Sequence, residues 1–356
     1  MVAPLHLSGV LLPAGEHTDL WVVDGELRFD PVAGATTVVR DGWILPGLVD
    51  SHCHIGLDRH GAVDAATAER QAITDRNAGT LLIRDAGSAA DTRWVDARPD
   101  LPHLIRAGRH IARPRRYLRH FAVEVEPEDL VAEVRRQARR SDGWVKLVGD
   151  WIDRAVGDLR PLWPTDIVEA AIAAAHAEGA RVTAHCFDEA SVTQLVTAGI
   201  DCIEHGTGLD DTTIQVMAER QVALVPTLIN LETFPQIAEA GQVKFPRYAA
   251  HMRALHARRF ETIGQAIEAG VPVYAGTDAG GTIAHGRLPE EISLLSRVAG
   301  PERALAAASW AARAWLGRPG LTEGASADLL VYADDPRTDL GMVSAPHLIL
   351  LGGVPL

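Results

Sequence analysis

Two histidines one residue apart, His52 and His54, close an apolar run in Asp50-Ser51-His52-Cys53-His54. On an extended strand, positions two apart face the same side, so both imidazoles can point one way while Cys53 points the other. Neutral imidazole is the commonest protein ligand for zinc-like metals, and metal binding is the chemistry this spacing suggests. A strand end carrying two polar residues would look the same. Further ligand-type side chains shift the balance: Lys146, His185, His205 and Asp278 stand near the C-terminal ends of later apolar runs. Singly, Lys146 reads as a snorkelling surface lysine, His185 and His205 as satisfied core histidines, and Asp278 as a helix cap. Together they read as one polar cluster at the end of a barrel where active sites are built.

A different chemistry is suggested by Arg113-Pro114-Arg115-Arg116-Tyr117-Leu118-Arg119-His120, a dense cationic stretch after the third run. Guanidinium forks suit carboxylates through paired hydrogen bonds, so Arg113, Arg115, Arg116 and Arg119, with Tyr117 nearby, are expected to bind an anionic substrate. The competing reading is a solvated loop making surface ion pairs. After the seventh run, residues 229–250 read as a long loop in which Asn230, Lys244, Arg247 and Tyr248 are suited to covering the substrate. The sequence has no His-Glu-x-x-His helix, no Gly-x-Ser-x-Gly elbow, no P-loop and no dinucleotide fingerprint.

The elements that must position these residues are short apolar runs, each followed by a polar or glycine-containing break and an alanine-rich stretch, the sequence form of βα units. The runs cover residues 44–54, 80–85, 101–107, 144–148, 180–185, 202–205, 222–227 and 271–278, enough for a closed eight-stranded barrel. Helices are expected at 164–178, with Thr165 as a cap and Gly179 as a stop, and at 247–269, stopped by Gly270. Residues 91–100 show little helical periodicity. The ends differ: residues 2–39 alternate apolar and polar positions, with turn signals at Pro13-Ala14-Gly15, Asp24-Gly25 and Asp30-Pro31. Residues 327–331 and 347–351 behave likewise. The simplest assembly pairs both ends into one small β-structure beside the barrel.

The chain has 356 residues, 47% of them hydrophobic and 23% charged, enough apolar material for a sizeable core. A net charge of −13 would be repelled by a phosphate backbone, so no nucleic acid partner is expected. No stretch approaches the roughly 18 uninterrupted apolar residues of a membrane span, and the N-terminus lacks the basic region of a signal peptide. No membrane association and a cytoplasmic location are therefore expected. Cys53, Cys186 and Cys202 are an odd number, which argues for a reducing compartment and for small apolar fillers rather than disulfides or nucleophiles.

At this point the sequence resembles the amidohydrolase superfamily, more narrowly its imidazolonepropionase-like and Xaa-Pro dipeptidase-like branch. The matching stretches are Leu45-Pro46-Gly47-Leu48-Val49-Asp50-Ser51-His52-Cys53-His54, Val145-Lys146-Leu147, Val182-Thr183-Ala184-His185, Cys202-Ile203-Glu204-His205-Gly206, Leu224-Val225-Pro226-Thr227, Ala275-Gly276-Thr277-Asp278-Ala279-Gly280 and Gly324-Ala325-Ser326-Ala327-Asp328-Leu329. The resemblance implies an α/β fold, a (β/α)8 TIM barrel over residues 47–319 with a split β-sandwich from residues 1–46 and 320–356. It implies that His52, His54 and Asp278 hold the more buried of two divalent metals, most often zinc, and His185 and His205 the more exposed one. Lys146, carboxylated on its amine, would bridge them. A carbamate turns a cation that would repel metals into an anion with two oxygen ligands, and water between two cations is acidified. Asp278 would then take the water's proton and return it to the leaving amine. Related enzymes also place a histidine of the third loop beside the scissile carbonyl, and His120 is the candidate.

The leading expectation is a binuclear metal-dependent hydrolase, cleaving an amide or peptide-like bond of a small carboxylate-bearing substrate such as a dipeptide or N-acyl amino acid. The partner is then a small molecule, with room left for a homo-oligomer. Alternatives on the same scaffold are cyclic amide hydrolysis, a mononuclear deaminase and oxygen chemistry at two irons. The mononuclear branch normally lacks a lysine such as Lys146. A third reading is a non-catalytic binding protein that kept the fold, although such descendants usually lose ligands.

Overall fold

The computed structural model describes residues 3–356; Met1 and Val2, the first residues of the expected N-terminal segment, lie outside the described residues. Its α/β architecture grows from the apolar runs. Leu48–Cys53 pairs with Thr80–Asp85, and that strand with His103–Arg106, all parallel. A few residues on, Ile111–Ala112 pairs with Trp144–Val148. Parallel pairing continues through Arg181–Cys186 and Cys202–His205 to Ala223–Val225. The last run forms isolated parallel bridges instead of a ladder, Val273 to Leu224 on one side and Ala279 to Cys53 on the other. The pairing thus runs from His103–Arg106 through Leu48–Cys53 and the last run to Ile111–Ala112, and the two short strands at its ends follow each other in the chain without pairing.

Helices fill the connections because the sequence supplies both caps and apolar faces. The side chains of Asp64, Asp188 and Asp210 accept hydrogen bonds from the backbone N–H groups of Thr67, Ser191 and Thr213, starting the helices Ala65–Asn77, Glu189–Thr197 and Asp211–Arg220. The expected helix at 164–178 is Thr165–Ala177, but Thr165 does not cap it. Its hydroxyl instead accepts from Gln194 Nε2 at 2.9 Å. The helix expected at 247–269 is Pro246–Glu268. Residues 91–100 hold only a 3-10 turn, Arg93–Ala97. The segment 229–250 is not a long loop: it contains the helices Leu228–Leu231 and Phe234–Gly241 and the start of Pro246–Glu268. Leu228, Leu231, Phe234 and Ala238 are all buried there, at a helical spacing that a loop reading overlooks.

Both chain ends join one eight-stranded mixed sheet. Leu5–Leu11 pairs antiparallel with Glu16–Val23 and parallel with Trp43–Pro46, which in turn pairs antiparallel with Leu329–Tyr332. The turn at Asp24-Gly25 has φ of 51° and 84°, the conformation that an Asp-Gly hairpin favours. This sheet has its own apolar core, including Leu7, Leu20, Ile44, Leu329 and Leu350. The first apolar run is divided between the two sheets at Gly47, where a Cβ would fall 2.5 Å from the Leu81 side chain. No helix among the described residues is long and apolar enough to cross a membrane.

Candidate metal centre

Four histidines at the C-terminal ends of the parallel strands turn one ring nitrogen inward and fix or face a partner with the other. His52 Nδ1 lies 2.7 Å from Glu204 Oε2; a carboxylate only accepts, so Nδ1 carries a proton, and in the neutral ring Nε2 keeps the lone pair. His54 Nδ1 donates to the Gly87 carbonyl at 2.7 Å, leaving its Nε2 in the same state. His205 Nδ1 meets the Thr227 hydroxyl at 2.7 Å, and its Nε2 comes within 3.0 Å of His185 Nδ1. His185 Nε2 faces Asp150 Oδ1 across 3.9 Å. Such outer partners orient metal-binding histidines and set their tautomers.

Asp278 completes the first group. Its Oδ1 lies 3.0 Å from His54 Nε2 and 3.2 Å from His52 Nε2, and the two histidine nitrogens are 3.2 Å apart. Asp278 is held where it is by its own N–H, which donates to the His52 carbonyl at 2.7 Å. Asp50 ties the same loop down, accepting from Thr277 N and Oγ1 and from His52 N. His205, Thr227 and Asp278 all adopt positive φ, 67°, 47° and 59°, a costly conformation for these residues that concentrates at functional sites. Lys146 reaches the cluster from Trp144–Val148; it is buried and its Nζ has no hydrogen-bond partner.

The electrostatics follow from burial and from this geometry. Burial, and then Lys146, drives His185 down to about 3, and burial likewise lowers His54 and His205, so all three favour the neutral, lone-pair-bearing form. For His52 burial and Lys146 are outweighed by the Glu204 and Asp278 carboxylates, and its pKa rises. Against its own burial, Asp278 is held well below the usual carboxylate range by His52 and His54. Burial lowers Lys146, against the attraction of the Glu204 and Asp278 carboxylates.

The structure thus brings His52, His54, Lys146, His185, His205 and Asp278 to one end of the parallel strands. Cys53, pointing the opposite way as strand alternation requires, lies 3.7 Å from Asp75 Oδ2 on the helix Ala65–Asn77. The third loop departs from expectation. His120 is exposed, with φ of 69°, and its carbonyl accepts from Arg109; it does not join the cluster. The histidine beside the cluster is His110, fully buried, its ring 5.0 Å from that of His54, with both nitrogens unpartnered. Gly87 makes room for it, because a Cβ at this position, where φ is +117°, would lie 2.9 Å from His110 Nδ1. Gly108 two residues earlier was the available signal, hidden because the apolar run ends at Ala107.

The cationic stretch is also sorted by the structure. Arg113 pairs with Glu126 at 3.5 Å, while Arg115 and Arg119 are exposed. Arg116 turns inward: it contacts Asp153 Oδ2 and the Trp151 carbonyl, each at 3.2 Å, and its buried Nε has no partner. Tyr117 packs its ring 5.4 Å from His110, 5.6 Å from His185 and 5.0 Å from Trp151. Trp151 belongs to the hairpin of Asp150–Asp153 and Asp158–Pro161, which the sequence reading did not foresee. Asn230 is buried on Leu228–Leu231. Tyr248 is half-buried, its hydroxyl pushed up to about 12 by burial and then by Asp150 and Asp158. Lys244 and Arg247 are exposed.

Comparison with known proteins places this geometry in context. The family model described as Amidohydrolase family matches residues 43–350. An uncharacterized protein of Mycobacterium tuberculosis (strain ATCC 25618 / H37Rv) is 59% identical over 351 residues, 98% of this chain and 95% of that one. Among solved structures, a Xaa-Pro dipeptidase with methionine bound in its active site superimposes with a TM-score of 0.83 at 20% identity, covering 99% of this chain and 100% of the other. A prolidase complexed with N-methylphosphonate-L-proline gives 0.82 at 22% identity, with 99% of each chain covered.

Proposed function

The chain belongs to the amidohydrolase family, and from that premise we propose that it is a binuclear metal-dependent hydrolase of amide or peptide-like C–N bonds, acting on a small carboxylate-bearing substrate from a closed (β/α)8 barrel. One observation carries the metal reading. His52 Nε2, His54 Nε2 and Asp278 Oδ1 lie 3.0–3.2 Å apart, with the proton of each imidazole committed to an outer partner. With His52 neutral, three lone pairs so placed repel one another, and a cation among them would relieve that repulsion and hold His52 in the neutral form.

His185 and His205 would hold a second ion, with Lys146, once carboxylated, between the two. The unpartnered Nζ of Lys146 fits that role, since burial favours the neutral amine that adds carbon dioxide. When bound, divalent metals at such residues polarise a carbonyl and acidify water; zinc is the natural first choice for this nitrogen and oxygen donor set. Asp278, whose side chain is 22% exposed, stands at the accessible side of the cluster, placed to accept a proton there and deliver it to a leaving amine. His110 takes the place first assigned to His120, its free ring nitrogens available to the substrate's carbonyl oxygen. Arg116 is the arginine best placed to bind a carboxylate, with Tyr117 and Trp151 forming an apolar wall beside it.

The dipeptidase and prolidase structures support a carboxylate-bearing substrate by likeness of fold, and the shared α-carboxylate of methionine and proline agrees with Arg116. The decisive experiment assays the metal-loaded chain against dipeptides, N-acyl amino acids and lactams, with metal content measured in the same preparation. Turnover of the first two classes at two metals per chain is expected. Lactams alone would establish cyclic amide hydrolysis, one metal a mononuclear site, and full metal loading with no turnover a binding protein.

A further inference from the structure

At the opposite, N-terminal end of the strands, a cavity of about 730 Å³ opens between Thr80–Asp85, His103–Arg106, the 93–102 turn and the segment joining the last helices to the terminal sheet. Leu82, Val95, Leu101 and Leu104 give it an apolar wall. Its charged residues divide into two groups. Arg98 is committed to Asp100 and Glu69, and Arg106 to Asp96 and Asp142. Arg313 and Arg318 have no carboxylate within ion-pair distance among the described residues, although both line the cavity and Asp328 stands in the same wall.

Arg313 is the more telling of the two. It is buried, makes one hydrogen bond through Nε to the Gly47 carbonyl at 3.0 Å, and leaves Nη2 without an acceptor. Asp328, the carboxylate in the same wall, is occupied by His103 at 3.2 Å, by the Ser326 hydroxyl and by Gly352 N. Arg318 is fixed close by, its N–H donating to the Arg313 carbonyl at 2.8 Å. Asp328 attracts Arg313 through space but spends its oxygens on other donors, so the buried guanidinium is left short of an acceptor, and a second cation at the same cavity adds repulsion.

We propose that this cavity is a binding site for a small organic anion, its carboxylate or phosphate set between Arg313 and Arg318 and its apolar part against Leu101 and Leu104. The volume lies within the range of small-molecule pockets, about 300–1,000 Å³. The site is separate from the metal centre and does not depend on the function proposed for it.

The test is calorimetric titration of the metal-loaded protein with benzoate, phenyl phosphate and inorganic phosphate, repeated on Arg318→Gln and Arg313→Lys. Saturable binding of benzoate or phenyl phosphate, weakened about tenfold or more in Arg318→Gln at unchanged metal content, is the expected result, since one charge-assisted contact accounts for that factor. Which of the two binds tells carboxylate from phosphate. Arg318→Gln replaces an exposed residue, so its folding is not in question, and Arg313→Lys keeps the charge while removing the fork. The proposal fails if neither organic anion binds saturably, or if binding is the same in both variants, which would place the anion elsewhere. Inorganic phosphate binding as tightly as phenyl phosphate would reject the apolar half of the site.

Discussion

Glu204 joins His52 to Arg84: its Oε2 accepts from His52 Nδ1 at 2.7 Å and its Oε1 from Arg84 Nη2 at 2.6 Å, with all three side chains buried. The Thr183 hydroxyl also donates to Oε1. Arg84 is itself enclosed by aromatic rings, 4.7 Å from that of Trp144 and 5.0 Å from that of Trp315. Glu204→Gln keeps the shape but removes the charge that fixes the His52 tautomer and balances Arg84. Metal affinity should fall about 10- to 100-fold, measured by competition with a chelating indicator. A variant binding metal as tightly as the parent would show that Glu204 serves only the fold.

Asp278→Asn should leave the fold and the four histidines in place while lowering turnover about 10²- to 10⁴-fold, because an amide can neither accept nor return the proton. Circular dichroism together with kcat on a dipeptide checks this. Near-parental turnover with metals bound would exclude Asp278 as the proton carrier.

The two histidines of the third loop should separate cleanly. His110→Asn is expected to lower kcat/KM at least tenfold without loss of metal, since its ring stands beside His54. His120→Ala, an exposed substitution, should change stability by less than about 0.5 kcal/mol and leave turnover intact. The opposite ranking would restore His120 to the site.

Among the arginines, only Arg116 faces the cluster's aromatic wall with a free, buried Nε. Arg116→Ala should reduce kcat/KM about ten- to a hundredfold on a substrate with a free carboxylate and much less on its amide, while Arg115→Ala and Arg119→Ala should affect both alike and little. Equal losses on the two substrates for Arg116→Ala would remove the carboxylate from the reading.

His251 bridges Asp158 and Glu189, at 2.9 and 3.0 Å, tying the helix Pro246–Glu268 to the mouth hairpin and to Glu189–Thr197. Hydrogen bonding to Glu189, against partial burial, raises its pKa to about 9. A raised histidine stabilises most fully below its unfolded value of about 6.5, and that contribution drains away as pH climbs through about 9. The stability gap between parent and His251→Gln, followed by urea denaturation from pH 6 to pH 10, should therefore be widest at the acid end. A gap that grows with pH would show that His251 acts neutral.

Much of this arrangement can be read from the chain because strand alternation is local: His52 and His54 must share a face, and the ends of later runs carry Lys146, His185 and His205. What resists reading is non-local or depends on where a run ends. His110 is obscured because the third run breaks at Gly108 and resumes pairing at Ile111, on the other neighbour. Glu204 stands in plain sight beside His205, yet its meaning comes from Arg84, 120 residues away. The helices Leu228–Leu231 and Phe234–Gly241 are too short for their apolar spacing to stand out, so their burial is decided by what packs on them.

Gly47 has a consequence for how the two sheets are joined. The strand before it, Trp43–Pro46, lies between Leu5–Leu11 and Leu329–Tyr332, whereas the strand after it, Leu48–Cys53, carries His52 and leads into His54. One neighbour of Trp43–Pro46 is close in sequence, whereas the other is separated from it by all the parallel strands. The segment that leads into the histidine-bearing strand therefore gains its second flank only when Leu329–Tyr332 is in place, so the terminal sheet and the parallel strands are anchored through one continuous stretch of chain.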